Sequence, residues 1–181
     1  MVRLHAMNEC SIETTRARVG PESGMLFAAL LYLMLERGKR IPRTTLLELL
    51  WPDSDETAAR HCLRQTVYKM RQMGVALESD GGHLVLPASA VTLDFEPLLR
   101  SADFDTEALA AAAVLGEFLP GYAPRCSEAY ADWLDHHRDI VHSALRRALL
   151  AAIAEQRGRA SWQDVELLAR RCLRLARWNK R

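Results

Sequence analysis

The chain has 181 residues and carries 24 Lys and Arg against 23 Asp and Glu, a formal net charge of +1, which is enough length for one medium domain or two small ones. Even the first hundred residues balance twelve basic against twelve acidic side chains, so this is no polycation and any grip on nucleic acid must come from a local patch. Cys10, Cys62, Cys126 and Cys172 show no CxxC or metal-finger spacing, a pattern that suits reduced thiols in a cytoplasmic protein over a disulfide framework. The opening MVRLHAMNEC has no apolar run of signal-peptide length, and nothing approaches the roughly eighteen apolar residues of a membrane span.

Val2 to Val19 lacks helical periodicity, is rich in Thr, Ile and Val, and alternates in CSIETT, which predicts two or three short strands. Gly20-Pro21 breaks this pattern. Met25 to Glu36, MLFAALLYLMLE, is apolar almost all round and predicts a buried helix stopped by Arg37-Gly38. A second helix is expected over Arg43 to Leu50, buried through Leu46, Leu47, Leu49 and Leu50 and closed by Trp51-Pro52.

Asp55 to Met73 follows, DETAARHCLRQTVYKMRQM. Helical spacing gathers Ala59, Leu63, Thr66, Val67, Met70 and Met73 on one side, with Cys62 at the margin. The opposite side carries Thr57, Arg60, His61, Arg64, Gln65, Tyr68, Arg71 and Gln72, and no Asp or Glu occurs from Thr57 through Leu77. Ser54 or Asp55 can cap this helix, and Gly74 ends it. A long acid-free face of Arg, Gln, His and Tyr suits either a solvated surface or a helix laid against nucleic acid, where phosphates repel carboxylates and long donors reach base edges.

Ala76 to Leu93 then reads as a short strand, a Ser-Asp-Gly-Gly turn, a strand from His83 to Leu86 and another around Val91 to Leu93. Strands, three helices and a closing hairpin in under a hundred residues give the outline of a winged helix-turn-helix, in which the third helix is presented to the major groove and the hairpin is the wing. That order favours the nucleic-acid reading of the basic helix over the solvated one.

A short helix is expected over Phe95 to Arg100, and beyond it the chain becomes Ala- and Leu-rich. Helices are predicted over Glu107 to Glu117, Ala129 to Gln156 and Trp162 to Trp178, with a turn at Arg157-Gly158-Arg159. Trp133, Ile140, Leu145, Leu149 and Ile153 supply much of the apolar face of the long helix, and the last one carries Leu167, Leu168, Leu173 and Leu175. Such helix pairs suggest a tetratricopeptide-like array. An array needs several repeats to bury its faces, so this one is expected to be incomplete and to take its missing neighbour from a second copy, a homodimer, or from further domains of a longer parent protein.

Two segments carry a family resemblance. RTTLLELLWPDSDETAARHCLRQTVYKMRQ resembles the DNA-binding half of the SARP family of bacterial transcriptional activators, with its LLWPD motif before a basic helix bearing Leu-Arg-Gln. GEFLPGYAPRCSEAYADWLDHHRDIV resembles the start of that family's bacterial transcriptional activator domain, with a FLPG-like turn and a Trp-Leu pair. The resemblance implies an α+β, mostly helical, cytoplasmic protein. An OmpR-type winged helix over residues 1–100 would bind repeated elements of double-stranded promoter DNA. A tetratricopeptide-like domain over residues 101–181 would serve self-association or contact with RNA polymerase.

Carried over by position, the resemblance puts Arg60, His61, Arg64, Gln65 and Tyr68 on the groove-facing side of the third helix. Arg43, Lys69 and Arg71, with His83 in the wing, become candidates for phosphate contacts. Arg64 and Gln65 can read guanine and adenine edges, or can merely position the helix on phosphates. Where family members often place Lys or Arg before the long buried helix, this chain has PESGMLFAALL. That departure keeps an alternative open, a helical-repeat interaction module with weak or lost DNA binding.

His136, His137 and His142 do not share a helix face as an i, i+4 metal pair would, so solvated or packing roles are expected. Trp51 and Trp133 sit among leucines as core. The sequence shows no GxSxG, no HExxH, no nucleophile with an evident base and no phosphate loop. A non-enzyme with no cofactor is the expectation.

Overall fold

The computed structural model describes residues 1–100 and 116–178, with side chains as far as Leu175. These residues form an α+β structure with six α-helices. None of the described helices is long and apolar enough to cross a membrane. The chain divides into two compact units that interleave along the sequence: Met1–His5, Cys10–Leu93 and Gly121–Asp135 form the first, and Ala6–Glu9, Asp94–Pro120 and His136–Arg181 the second.

The N-terminal stretch forms three strands, as its alternation suggests: β1 (Val2–His5), β2 (Ser11–Glu13) and β3 (Arg18–Val19). With β7 (Val91–Leu93) they make a four-stranded sheet in the order β3-β2-β1-β7, in which β7 runs parallel to β1 and the other pairings are antiparallel. Val2, Leu4, Ile12, Val91 and Leu93 are buried from it, the period-two signature of a sheet with one covered face.

Helix α1 (Met25–Leu35) is buried continuously from Phe27 to Met34, which is why it can be apolar on every side. A two-residue strand, β4 (Ile41–Pro42), leads into α2 (Arg43–Leu50). There Leu46, Leu49 and Leu50 are buried. Leu47, expected with them, is only half-buried because it lines an open cleft. Helix α3 (Glu56–Gln72) begins at Asp55, whose carboxylate accepts from the amides of Thr57 and Ala58 at 3.0 Å each, and Glu56 and the Lys69 and Arg71 cations complement the helix dipole at either end. Ala59, Leu63, Thr66, Val67 and Met70 are buried from α3, and Met73, at its C-cap, is half-buried. Burial of Leu63, Val67 and Met70 alone contributes about 2 kcal/mol each, so the seam fixes which side of α3 faces solvent.

The hairpin of β5 (Glu78–Asp80) and β6 (His83–Val85) turns through Gly81 and Gly82, both at positive φ (49° and 93°). It joins β4 in a second sheet of order β4-β6-β5. Gly121–Asp135 completes the first unit: Tyr122 and Tyr130 are buried, Tyr122 packs edge-on to Phe27 with ring centroids 5.0 Å apart, and the Tyr130 hydroxyl donates to the carbonyl of Ala28 at 3.1 Å. Trp133 packs at a tilt against Tyr32 at 4.6 Å and Tyr130 at 5.1 Å; it is half-buried at the margin of the core where its leucine-rich context suggests full burial.

In the second unit, the amides of Ala6 and Met7 both donate to Asp94 Oδ2 at 2.9 Å, and Phe95 meets Phe118 edge-on at 5.2 Å. The short α4 spans Glu96–Arg100. Residues 107–115 of the expected Glu107–Glu117 helix lie outside the described residues, while Gly116 and Glu117 are not helical. Helix α5 spans Glu128–Gly158 and α6 spans Trp162–Trp178. Helix α5 runs through Gly158, and the chain turns at Ala160, which adopts a φ of 59°. Leu145 and Leu149 of α5 and Leu168 and Leu175 of α6 are buried as expected, while other members of the expected faces are not. On α5 the buried line is Val141, Ala144, Leu145, Ala148, Leu149 and Ala152, which leaves Ile140, about 100° away from Val141, 40% exposed. On α6 Leu168 and Leu175 are buried, whereas Leu167 and Leu173 are 56% and 69% exposed. His136 is exposed, His137 and His142 are half-buried, and burial lowers the His142 pKa. Among the described residues no group of three or more His, Cys, Asp or Glu is placed to hold a metal ion.

Candidate nucleic-acid interface

The exposed side of α3 is built by exclusion. With the apolar seam anchored, Arg60, His61, Arg64, Gln65, Tyr68, Lys69 and Arg71 are all left exposed, as is Gln72. At about 100° per residue, Thr57, Arg64, Tyr68 and His61 lie near the centre of that side and Lys69 at its edge. Tyr68 is 59% exposed, an unusual place for a large aromatic ring, and its hydroxyl accepts from Gln72 Nε2 at 2.6 Å. Gln72 belongs to the same polar face but is singled out only by this bond.

The N-terminal half of α3 borders a cleft of about 320 Å³ lined by Arg43, Thr44 and Leu47 of α2, Arg60, Leu63 and Arg64 of α3, and Gly82 of the hairpin turn. Three arginines thus border one concave surface. Arg43 is held there twice, its backbone amide donating to the Gly82 carbonyl at 2.9 Å and its Nη2 to Ser79 Oγ at 2.9 Å. Arg60 pairs with Glu56 one turn back. An exposed i, i+4 pair is worth about 0.3–0.5 kcal/mol, so Arg60 can leave Glu56 for a stronger anion at little cost. The side chains of Arg64, His61, Gln65 and Lys69 make no hydrogen bond or ion pair with another described residue.

The remaining candidates stand apart. Arg71 folds back toward the carbonyl of Leu77 at 3.4 Å, at the weak limit of a hydrogen bond. His83 does not line the cleft: it is half-buried in the hairpin, opposite Pro42 on β4 and Asp80 on β5, and its Nδ1 is enclosed with no hydrogen-bond partner. The hairpin strand β5 exposes Glu78, Ser79 and Asp80, with Asp80 paired to Arg40 at 2.6 Å. Carboxylates there oppose a close approach to phosphate, so the cationic character of the surface is concentrated on α3 and the start of α2.

The arrangement offers planar, forked donors for bidentate bonds to phosphate or to guanine, amide groups suited to adenine, and an exposed aromatic ring. Thr44 and Gly82 enter the cleft without having been singled out by sequence, because only the antiparallel pairing of β4 with β6 brings the hairpin turn to the start of α2. No protein-family model, curated protein or solved structure matches the chain.

Proposed function

We propose that the protein is a sequence-specific regulator of transcription, an activator that binds double-stranded promoter DNA by laying α3 in the major groove. The observation that carries this reading is the cleft where Arg43, Arg60 and Arg64 meet beside an exposed α3 face without carboxylates after Glu56. A merely solvated helix has no need to exclude acidic residues over about four turns, whereas a helix approaching phosphates does. The order of strands, three helices and hairpin supports a winged-helix assignment for the first unit, and the SARP-like LLWPD and FLPG segments point the same way. In this reading Arg43 and Arg60 hold phosphates, Arg64 and Gln65 read bases, and the C-terminal helices serve self-association or contact with RNA polymerase. No catalytic role and no cofactor belong to it.

Selection of bound fragments from a genomic library at low salt tests the reading, followed by titration of the selected fragment against Arg64→Ala. A base-reading Arg64 loses roughly 1–3 kcal/mol of specific binding on substitution, with little change on random DNA. Equal losses on both make it a phosphate contact. No binding of any fragment at low salt overturns the proposal and favours the second reading, an interaction module. The 65% exposure of Trp162 and the bare Leu167 and Leu173 of α6 are the observations behind that alternative.

A further inference from the structure

The C-terminal end of α3 is tied to the β2–β3 turn, some 56 residues earlier in the chain. Arg16 Nη1 donates to the carbonyl of Gln72 at 3.1 Å, and Thr15 Oγ1 donates to the carbonyl of Met73 at 3.3 Å. These are carbonyls that a helix terminus leaves without an intrahelical partner, and a cation at that end is favoured by the dipole. The turn that presents the two donors is itself rigid: Thr14 is buried, its hydroxyl donates to the Ala17 carbonyl at 2.8 Å and accepts from the Ala17 amide at 3.0 Å, and its own amide donates to the same carbonyl at 2.8 Å. Gly74 permits the close approach, because it sits at a φ of 83° and a Cβ there would fall 2.0 Å from Thr15 Oγ1.

We infer that Thr15 and Arg16 are positioning residues for α3: anchored in the four-stranded sheet, they fix the exit of the helix and so the angle at which Arg64, Gln65 and Tyr68 are presented. This rests on the DNA-binding reading for its consequence, though the lock itself does not. A hydrogen bond of this kind contributes roughly 1 kcal/mol net, so loss of either donor changes local opening by about fivefold and leaves the fold intact.

The test uses the full chain as Thr15→Val, which keeps the shape and removes the donor, and as Arg16→Ala and Arg16→Lys. Amide hydrogen exchange is read at Met73, Gly74 and Val75, whose N–H groups close the last turn of α3, and DNA binding is read at several salt concentrations. Exchange at these three amides is expected to quicken about fivefold in Thr15→Val and Arg16→Ala, with β1 amides unchanged and Arg16→Lys in between. Specific binding is expected to weaken severalfold at an unchanged salt slope. Unaltered exchange in both variants overturns the lock. A salt slope reduced by about one in Arg16→Ala overturns the positioning role and makes Arg16 a phosphate contact. Quickened exchange in the variants, together with no DNA binding by the wild-type chain, leaves the lock standing and removes the functional reading instead.

Discussion

Trp133 Nε1 donates a hydrogen bond to Glu36 Oε1 at 2.8 Å, joining residues 97 positions apart in the first unit. Glu36 is the C-cap of α1 and also meets Lys39, and its side chain is only 12% exposed. A carboxylate so placed needs its donors. Trp133→Phe keeps the ring contacts with Tyr32 and Tyr130 and removes the N–H, so a loss of about 1.5 kcal/mol is expected, as for a hydrogen bond to a charged group. Urea denaturation measures it; a loss below a few tenths of a kcal/mol would show that water replaces the indole without cost.

The same relationship sets what must be present for the first unit to fold. A chain cut after Arg100 lacks Tyr122, Tyr130 and Trp133 and bares Phe27 and Tyr32 of α1. Truncating one buried aromatic costs roughly 3–5 kcal/mol, and removing three approaches the entire stability of a small domain. Residues 1–100 alone are expected to show no cooperative urea transition, while residues 1–135 regain one. A sharp transition in the shorter chain at the midpoint of the full protein would refute this.

Arg43, Arg60 and Arg64 are exposed enough to be changed together. In Arg43→Gln/Arg60→Gln/Arg64→Gln the slope of log affinity for DNA against log salt is expected to fall by about 0.9 for each phosphate left without its cation, with the thermal midpoint shifted by no more than a few degrees. An unchanged slope would move the phosphate-binding surface away from the cleft.

Alkaline pH should unfold the first unit early. Burial pushes the Cys126 thiol from its ordinary 9.0 up to about 11 and raises the hydroxyls of Tyr32 and Tyr130. Below pH 9 the thiol is neutral in both folded and unfolded chains and its environment contributes no pH dependence. From pH 9 to about 11 the unfolded chain releases protons that the folded one retains, so stability falls as pH rises; the tyrosines extend the fall above pH 10. Cys126→Ala should flatten the decline between pH 9 and 11 in urea midpoints read against pH, and an identical decline would assign it to other groups.

The third helix and its two faces were legible in the sequence because a 17-residue amphipathic segment between a capping Asp55 and Gly74 admits one helical phase. The bounds of α2, the presence of short strands before Gly20 and the position of the hairpin were legible for similar local reasons. The cleft was less so: Arg60 and Arg64 share a helix side, but Arg43 and Gly82 join them only through the β4–β6 pairing. Ile140, Leu167 and Leu173 were misplaced because Ala- and Leu-rich helices carry apolar residues at several phases, and the neighbours choose among them. His83, expected in a wing strand and free to meet phosphate, is half-buried by its pairing with both β4 and β5.

By itself the sequence determined where α1, α2, α3 and the hairpin form and which side of α3 must be solvent-facing, since hydrophobic spacing and capping act within a few residues. The tertiary structure alone decided that Gly121–Asp135 belongs with α1, that three arginines share one concave surface, and that Arg16 and Thr15 hold the end of α3. Each of these depends on hydrogen bonds and packing between residues tens of positions apart, and no local periodicity records such a meeting.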